Sequence, residues 1–203
     1  MRKVKLTADS KKDLLNNLLK RSPNNYSEYE STVADIIADV RANKNQAVFS
    51  YTRKFDKWEI DETNIRVTPA EMDEAFAAID EDFIRVMKAS AQNIADFHKK
   101  QLHNSWIDPR PDGSILGQKI LPIAISGVYV PGGKAAYPSS VLMNVIPAKV
   151  AGVKRIIMTT PAGADGKVNP GTLVAAQIAG VDEIYKVGGA QAIAAMAFGT
   201  ESI

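Results

Sequence analysis

No cysteine occurs among the 203 residues, and histidine occurs only twice. The first absence excludes disulfides, thiolate metal sites and a cysteine nucleophile. The second leaves His98 and His103, whose spacing does not stack them on one helix face as a metal pair requires. Both read as surface or packing residues. No apolar run approaches the ~20 residues that span a bilayer. The basic start Met1-Arg2-Lys3-Val4-Lys5-Leu6 has no apolar stretch behind it, so no signal peptide is visible. No membrane partner is expected, and the chain reads as cytoplasmic. Charge of one sign is scarce as well: a net +2 is too small to argue for nucleic acid. The seven basic residues within 1–21 (Arg2, Lys3, Lys5, Lys11, Lys12, Lys20, Arg21) have no aromatics interleaved. They read as the solvated side of a helix whose apolar face is Leu14, Leu15, Leu18 and Leu19.

What is present divides the chain by periodicity. With 45% hydrophobic and 24% charged residues, the composition suits a folded core. Residues 1–110 read as helical. Val33, Ile36, Ile37 and Val40 fall at i, i+3, i+4, i+7. After a break near Asn43-Lys44-Asn45, Ala47, Val48, Tyr51 and Phe55 continue with similar spacing. Thr68-Pro69-Ala70-Glu71 predicts a helix start: a capping threonine, a proline at the first helical position, and a glutamate to complete a capping box. A long helix follows Asp80, with Phe83, Val86, Met87, Ser90, Ile94 and Phe97 on one face. Asp80, Glu81 and Asp82 suit its start through the helix dipole, not acid–base chemistry. The breaker cluster Asp108-Pro109-Arg110-Pro111-Asp112-Gly113 ends the helical region.

From residue 114 onward, short β-branched runs (Ile123 to Val130, Ile156 to Thr160, Glu183 to Val187) alternate with alanine-rich helical stretches. That alternation marks βαβ units and a parallel sheet. An internal repeat supports it: residues 148–156 align with 176–184, each ending a helix on a glycine before a strand. Gly163-Ala164-Asp165-Gly166 and Asn169-Pro170-Gly171 read as loops. The fold class expected is α/β: a helical N-terminal region followed by an incomplete Rossmann-like parallel βαβ domain. The division expected is an arm over 1–25, a mainly helical part over 26–126, and strand–helix repeats over 127–203.

Ligands of parallel sheets bind beyond the carboxyl ends of the strands. Two such ends stand out, Gly127-Val128-Tyr129-Val130-Pro131-Gly132-Gly133-Lys134 and Val187-Gly188-Gly189-Ala190-Gln191. Glycines there let backbone N–H groups approach a phosphate at a helix N-terminus, or serve only as turn residues. Neither segment is a GxGxxG fingerprint. Gly132-Gly133-Lys134-Ala135 is not a P-loop either, because Ala135 stands where a magnesium-holding Ser/Thr belongs. Tyr129 offers a ring and hydroxyl to a nucleotide, or is a half-buried strand tyrosine. Gln191 offers an amide at a helix start, or is a solvated first-turn residue. No catalytic constellation accompanies them.

Several segments together resemble the histidinol dehydrogenase family: Tyr51-Thr52-Arg53-Lys54-Phe55-Asp56, residues 93–101 (Asn93 to Gln101), Gly127 to Gly133, Pro138 to Asn144, and Val187 to Ala195 continuing through Phe198-Gly199-Thr200-Glu201-Ser202. One departure is Lys44-Asn45, where the family usually has Gly-Asp. The resemblance implies an aldehyde dehydrogenase-like architecture with two incomplete Rossmann-like domains, the first split in sequence. It implies a zinc-containing homodimer that oxidises L-histidinol to L-histidine in two NAD-dependent steps; the leucine-faced basic helix and the linker-like Ser22-Pro23-Asn24-Asn25 behind it predict that residues 1–25 pack as an arm across the second subunit. NAD contacts carry over to Tyr129 and Gln191. The zinc ligands, the catalytic Glu-His pair and a further Gly-Pro-Gly-Asn contact are implied to lie past Ile203, so no catalytic and no metal residue is expected in this chain, and it is expected to be inactive alone. A competing expectation is a non-catalytic nucleotide-binding or interaction module of the same fold. An aldehyde dehydrogenase is disfavoured by the Gly-Gly-Ala-Gln segment.

Overall fold

The computed structural model describes residues 5–19, 26–132 and 136–203. Helix α1 spans Ala8–Leu19 and α2 spans Ser27–Asp56. The expected break in α2 is present as a kink at Lys44, with φ 48° and ψ −126°. That conformation favours glycine, which accounts for the glycine usual at this place in the family that the sequence resembles. Asn45 beside it is buried and joins α2 to the segment after the last helix: its side-chain amide donates to Ser202 Oγ at 2.8 Å, and its backbone N–H to Glu201 Oε2 at 3.1 Å. Leu14 and Leu15 are exposed, while the side chains of residues 16–19 lie outside what is described. So do Arg2, Lys3, Lys20, Arg21 and the break at 22–25.

Helix α3 (Pro69–Ala78) begins with the expected capping box: the Glu71 N–H donates to Thr68 Oγ1 at 3.2 Å, and the Thr68 N–H to Glu71 Oε2 at 2.8 Å. Helix α4 (Glu81–Lys99) is capped by Asp80, which accepts from the Phe83 N–H at 2.7 Å. Of its expected apolar face, Met87 is buried and Phe83 and Ile94 half-buried, whereas Val86 and Phe97 are exposed. The helical reading of residues 100–110 is corrected. Trp106–Pro109 forms strand β1, which pairs antiparallel with β2 (Ile115–Gln118). The second part of the breaker cluster, Arg110 to Gly113, is the hairpin turn between them, closed by the Arg110 N–H on Ser114 O at 2.8 Å, with Gly113 at φ 83°; Asp108 and Pro109 belong to β1.

The rest follows the strand–helix alternation: β3 (Ile125–Tyr129), α5 (Pro138–Val150), β4 (Arg155–Thr159), α6 (Pro170–Ala179), β5 (Glu183–Tyr185) and α7 (Gly189–Phe198). The strands form one parallel sheet in the order β3-β4-β5. Asn169-Pro170-Gly171 is not a loop: Asn169 caps α6 and Pro170 takes its first position. The 28-residue repeat is exact in its backbone chemistry. At the end of α5, the Val153 N–H donates to Ala148 O and the Gly152 N–H to Lys149 O; at the end of α6, Val181 donates to Ala176 O and Gly180 to Gln177 O. Both are Schellman turns, and Gly152 and Gly180 sit at φ 89° and 84°. Helices α5 and α6 pack together with α3 and α4 outside them; α7 turns back onto β3 and packs along α2. The main core is Val128, Ile156, Met158, Val141, Leu142, Val145 and Val174.

Candidate functional site

Three strand ends meet at the carboxyl edge of the sheet. Backbone bonds extend the ladder past the strands, from Val130 N–H to Thr159 O at 2.9 Å and from Thr160 N–H to Tyr185 O at 3.1 Å. Pro161 follows β4 and lies between its neighbours. A Cβ on Gly132 would stand 2.7 Å from Pro161 Cγ, and one on Gly188 would stand 2.7 Å from Pro161 Cβ. These two glycines therefore make room for a ring of the protein itself. Gly127 similarly faces Met196 of α7. Gly133, Lys134 and Ala135 lie outside the described residues. A cavity of about 250 Å³ opens beside Gly132, Pro161, Gly163, Asn169 and Thr172.

Tyr129 and Gln191 come together at the N-terminus of α7. The Gly189 N–H donates to Tyr129 Oη at 3.2 Å, which leaves the phenol proton free to be donated. Tyr129 is half-buried, as a strand tyrosine is. Gln191 is not the solvated first-turn residue that its position allows: it is 1% exposed, and neither its amide nitrogen nor its oxygen has a partner among the described residues. Its Oε1 lies 2.6 Å from where a Cβ on Gly189 would stand, so the amide sits directly beneath an exposed glycine at φ 66°. A buried amide left unpaired is costly, and a group that can both donate and accept would satisfy it.

Two further polar groups on α2 were not singled out by the sequence. Asp56 ends the helix against Gly188, with its buried Oδ2 3.4 Å from the place of a Gly188 Cβ and without a hydrogen-bond partner among the described residues. Burial pushes the Asp56 carboxyl up, and the Gly188 N–H facing it pulls the other way. Thr52, one turn earlier, is fully buried with an unpartnered hydroxyl. The only signal for Asp56 was its place in the Tyr51–Asp56 segment. Below this corner, Lys186 is buried on Glu71 at 2.7 Å, with its ammonium 5.4 Å from the Trp58 ring centre. His98, on α4, is bonded to Gln101 just past that helix, and His103 is exposed. Among the described residues, no group of three or more His, Cys, Asp or Glu could hold a metal ion, and no helix is long and apolar enough to cross a membrane.

The parallel sheet with its polar strand-end corner defines an α/β protein of the Rossmann-like class. Comparison with known proteins carries this to a family: the histidinol dehydrogenase family model matches residues 19–203. The chain is 55% identical over 176 residues to histidinol dehydrogenase of Bacillus subtilis, covering 87% of this chain and 41% of that protein. It is 53% identical over 167 residues to that of Heliobacterium mobile, covering 82% and 39%. The crystal structure of histidinol dehydrogenase from Elizabethkingia anophelis superposes with a TM-score of 0.81 at 39% identity, over 86% of this chain and 40% of that one. The chain belongs to the histidinol dehydrogenase family, a family of oxidoreductases. It spans about two-fifths of the length of the curated relatives it matches.

Proposed function

We propose that these residues form the nucleotide-binding strand ends of a cytoplasmic, homodimeric histidinol dehydrogenase that oxidises L-histidinol to L-histidine with NAD. On this reading, residues 26–126 are the first part of a split domain and 127–203 a Rossmann-like one. The observation that carries it is the fully buried, unpaired amide of Gln191 beneath Gly189, beside a Tyr129 hydroxyl with a proton to give. Tyr129 would donate to the nucleotide, and Gln191 would pair with a group that both donates and accepts. NAD, when bound, supplies the hydride acceptor. Zinc does not fit the residues described, since no set of ligands converges among them. On this reading the base that takes the alcohol proton belongs to the three-fifths of the relatives' length that the match does not reach.

The test is steady-state kinetics of the full-length protein. Tyr129→Phe, and Gln191→Met (which keeps the buried volume), should each raise the Michaelis constant for NAD by about tenfold, the value of one good hydrogen bond. The constant for histidinol should stay in place. NAD binding without any histidinol turnover in the unmutated protein would favour a non-catalytic nucleotide-binding module.

A further inference from the structure

We propose that Asp56 is a specificity-determining residue of this strand-end corner: its carboxylate holds the anion position at the N-terminus of α7. The ligand group that meets Gln191 there is therefore neutral, a hydroxyl or carboxamide, and not a phosphate. The inference rests on the nucleotide reading above and narrows it.

A helix N-terminus carries a partial positive charge and unpaired N–H groups, which is why phosphates so often settle there. In α7 the first two of these N–H groups already face partners. The cap residue, Gly188, has no side chain to bond the first turn, and the N–H that it presents faces the Asp56 carboxyl. The next N–H, of Gly189, is given to Tyr129 Oη. The carboxylate arrives from another element, α2, whose final turn packs along α7. Among the described residues, the two cations paired beside the corner are engaged elsewhere. Arg53 is held by Glu59 and the Ile60 carbonyl, Lys186 by Glu71, and no charged neighbour contributes to the Asp56 shift. Lys57, next in sequence, is exposed. An incoming phosphate would meet a like charge across one turn of backbone. Gln191 asks for the opposite kind of group. Its amide has both a donor and an acceptor to satisfy, and a phosphate dianion offers acceptors only.

Inorganic sulfate is the probe, because its charge does not change between about pH 5 and 8. It is titrated as a competitor of NAD on the full-length protein, unmutated and as Asp56→Asn. The variant should bind sulfate at least about tenfold more tightly, once the like charge is gone. The unmutated protein should gain sulfate affinity as pH falls toward the raised pKa of Asp56, and the variant should not. If Asp56→Asn does not fold, that pH series decides alone. Sulfate affinity that is equal in both proteins and flat with pH overturns the proposal, as does a crystal soak placing sulfate on Gly188–Gln191 of the unmutated protein. Sulfate that responds to Asp56 in a protein that does not bind NAD would retain the role of Asp56 and reject the nucleotide reading.

Discussion

Helices α6 and α4 are neighbours, yet they live in different surroundings. Seven of the ten residues of α6 are buried, from Gly171 to Ala176 and at Ala179; of the nineteen in α4, only Met87 is. The hairpin after α4 is more open still, with every residue of β1 and β2 exposed and Ile107 at 75%. The strand–helix part is enclosed by elements that the chain itself supplies. The stretch from Val86 to Ile125 is no less apolar in places (Phe97, Leu102, Trp106, Ile115, Leu121, Ile123), but nothing among the described residues covers these side chains. Amphipathic spacing thus reports which face seeks cover, and only the packing of the chain reports whether it is found.

The contrast is sharpened most by core truncation. Leu142→Ala in α5, at 1% exposure, should cost about 2–5 kcal/mol in urea unfolding, whereas Ile107→Ala should stay within about 0.5 kcal/mol. A comparable loss at Ile107 would mean that the hairpin is packed in solution, and the contrast would break. Next in size is Glu183, at the base of β5, which accepts from Arg155 Nε and Tyr185 Oη, each at 2.6 Å. The Arg155 bond, then the Tyr185 bond, hold its pKa at about 2, below the ordinary 4.5. A depressed carboxyl stabilises the fold above its unfolded pKa and loses that contribution as pH falls through the folded one. Glu183→Gln should therefore cost about 2 kcal/mol near neutrality, with the difference from the unmutated protein closing between pH 4.5 and about 2. Smallest is the helical side: Lys44→Gly should raise stability by about 1 kcal/mol, by relieving the positive φ at the kink. A loss there would show that the lysine side chain compensates for its backbone.

Local chemistry made much of this legible in advance. The alternation of β-branched and alanine-rich runs located β3 to β5, the repeat located both Schellman turns, and Thr68-Pro69 with Glu71 located the start of α3. The hairpin was hidden because Pro109 and Pro111 read as breakers. The signal was there, in Trp106-Ile107 and Ile115-Leu116 flanking Pro111-Asp112-Gly113. At the candidate site, Tyr129 and Gln191 were singled out because each sits at a strand end and inside a segment that resembles the family. Asp56 was not, because it belongs to a helix in the other half of the chain, and only the packing of α2 on α7 brings it to Gly188. Burial reversed one part of the reading: Gln191 lies beneath the surface, which no local pattern states.

Pro161 carries a consequence for how this sequence can drift. Gly132 and Gly188 belong to different loops, yet each is small because of the same ring. An alanine at either place would displace Pro161, and once it had moved, the second alanine would meet less resistance. The two substitutions should be strongly non-additive, and a smaller residue at 161 would relax both positions at once. Three loops that look independent along the chain are thus constrained to vary together.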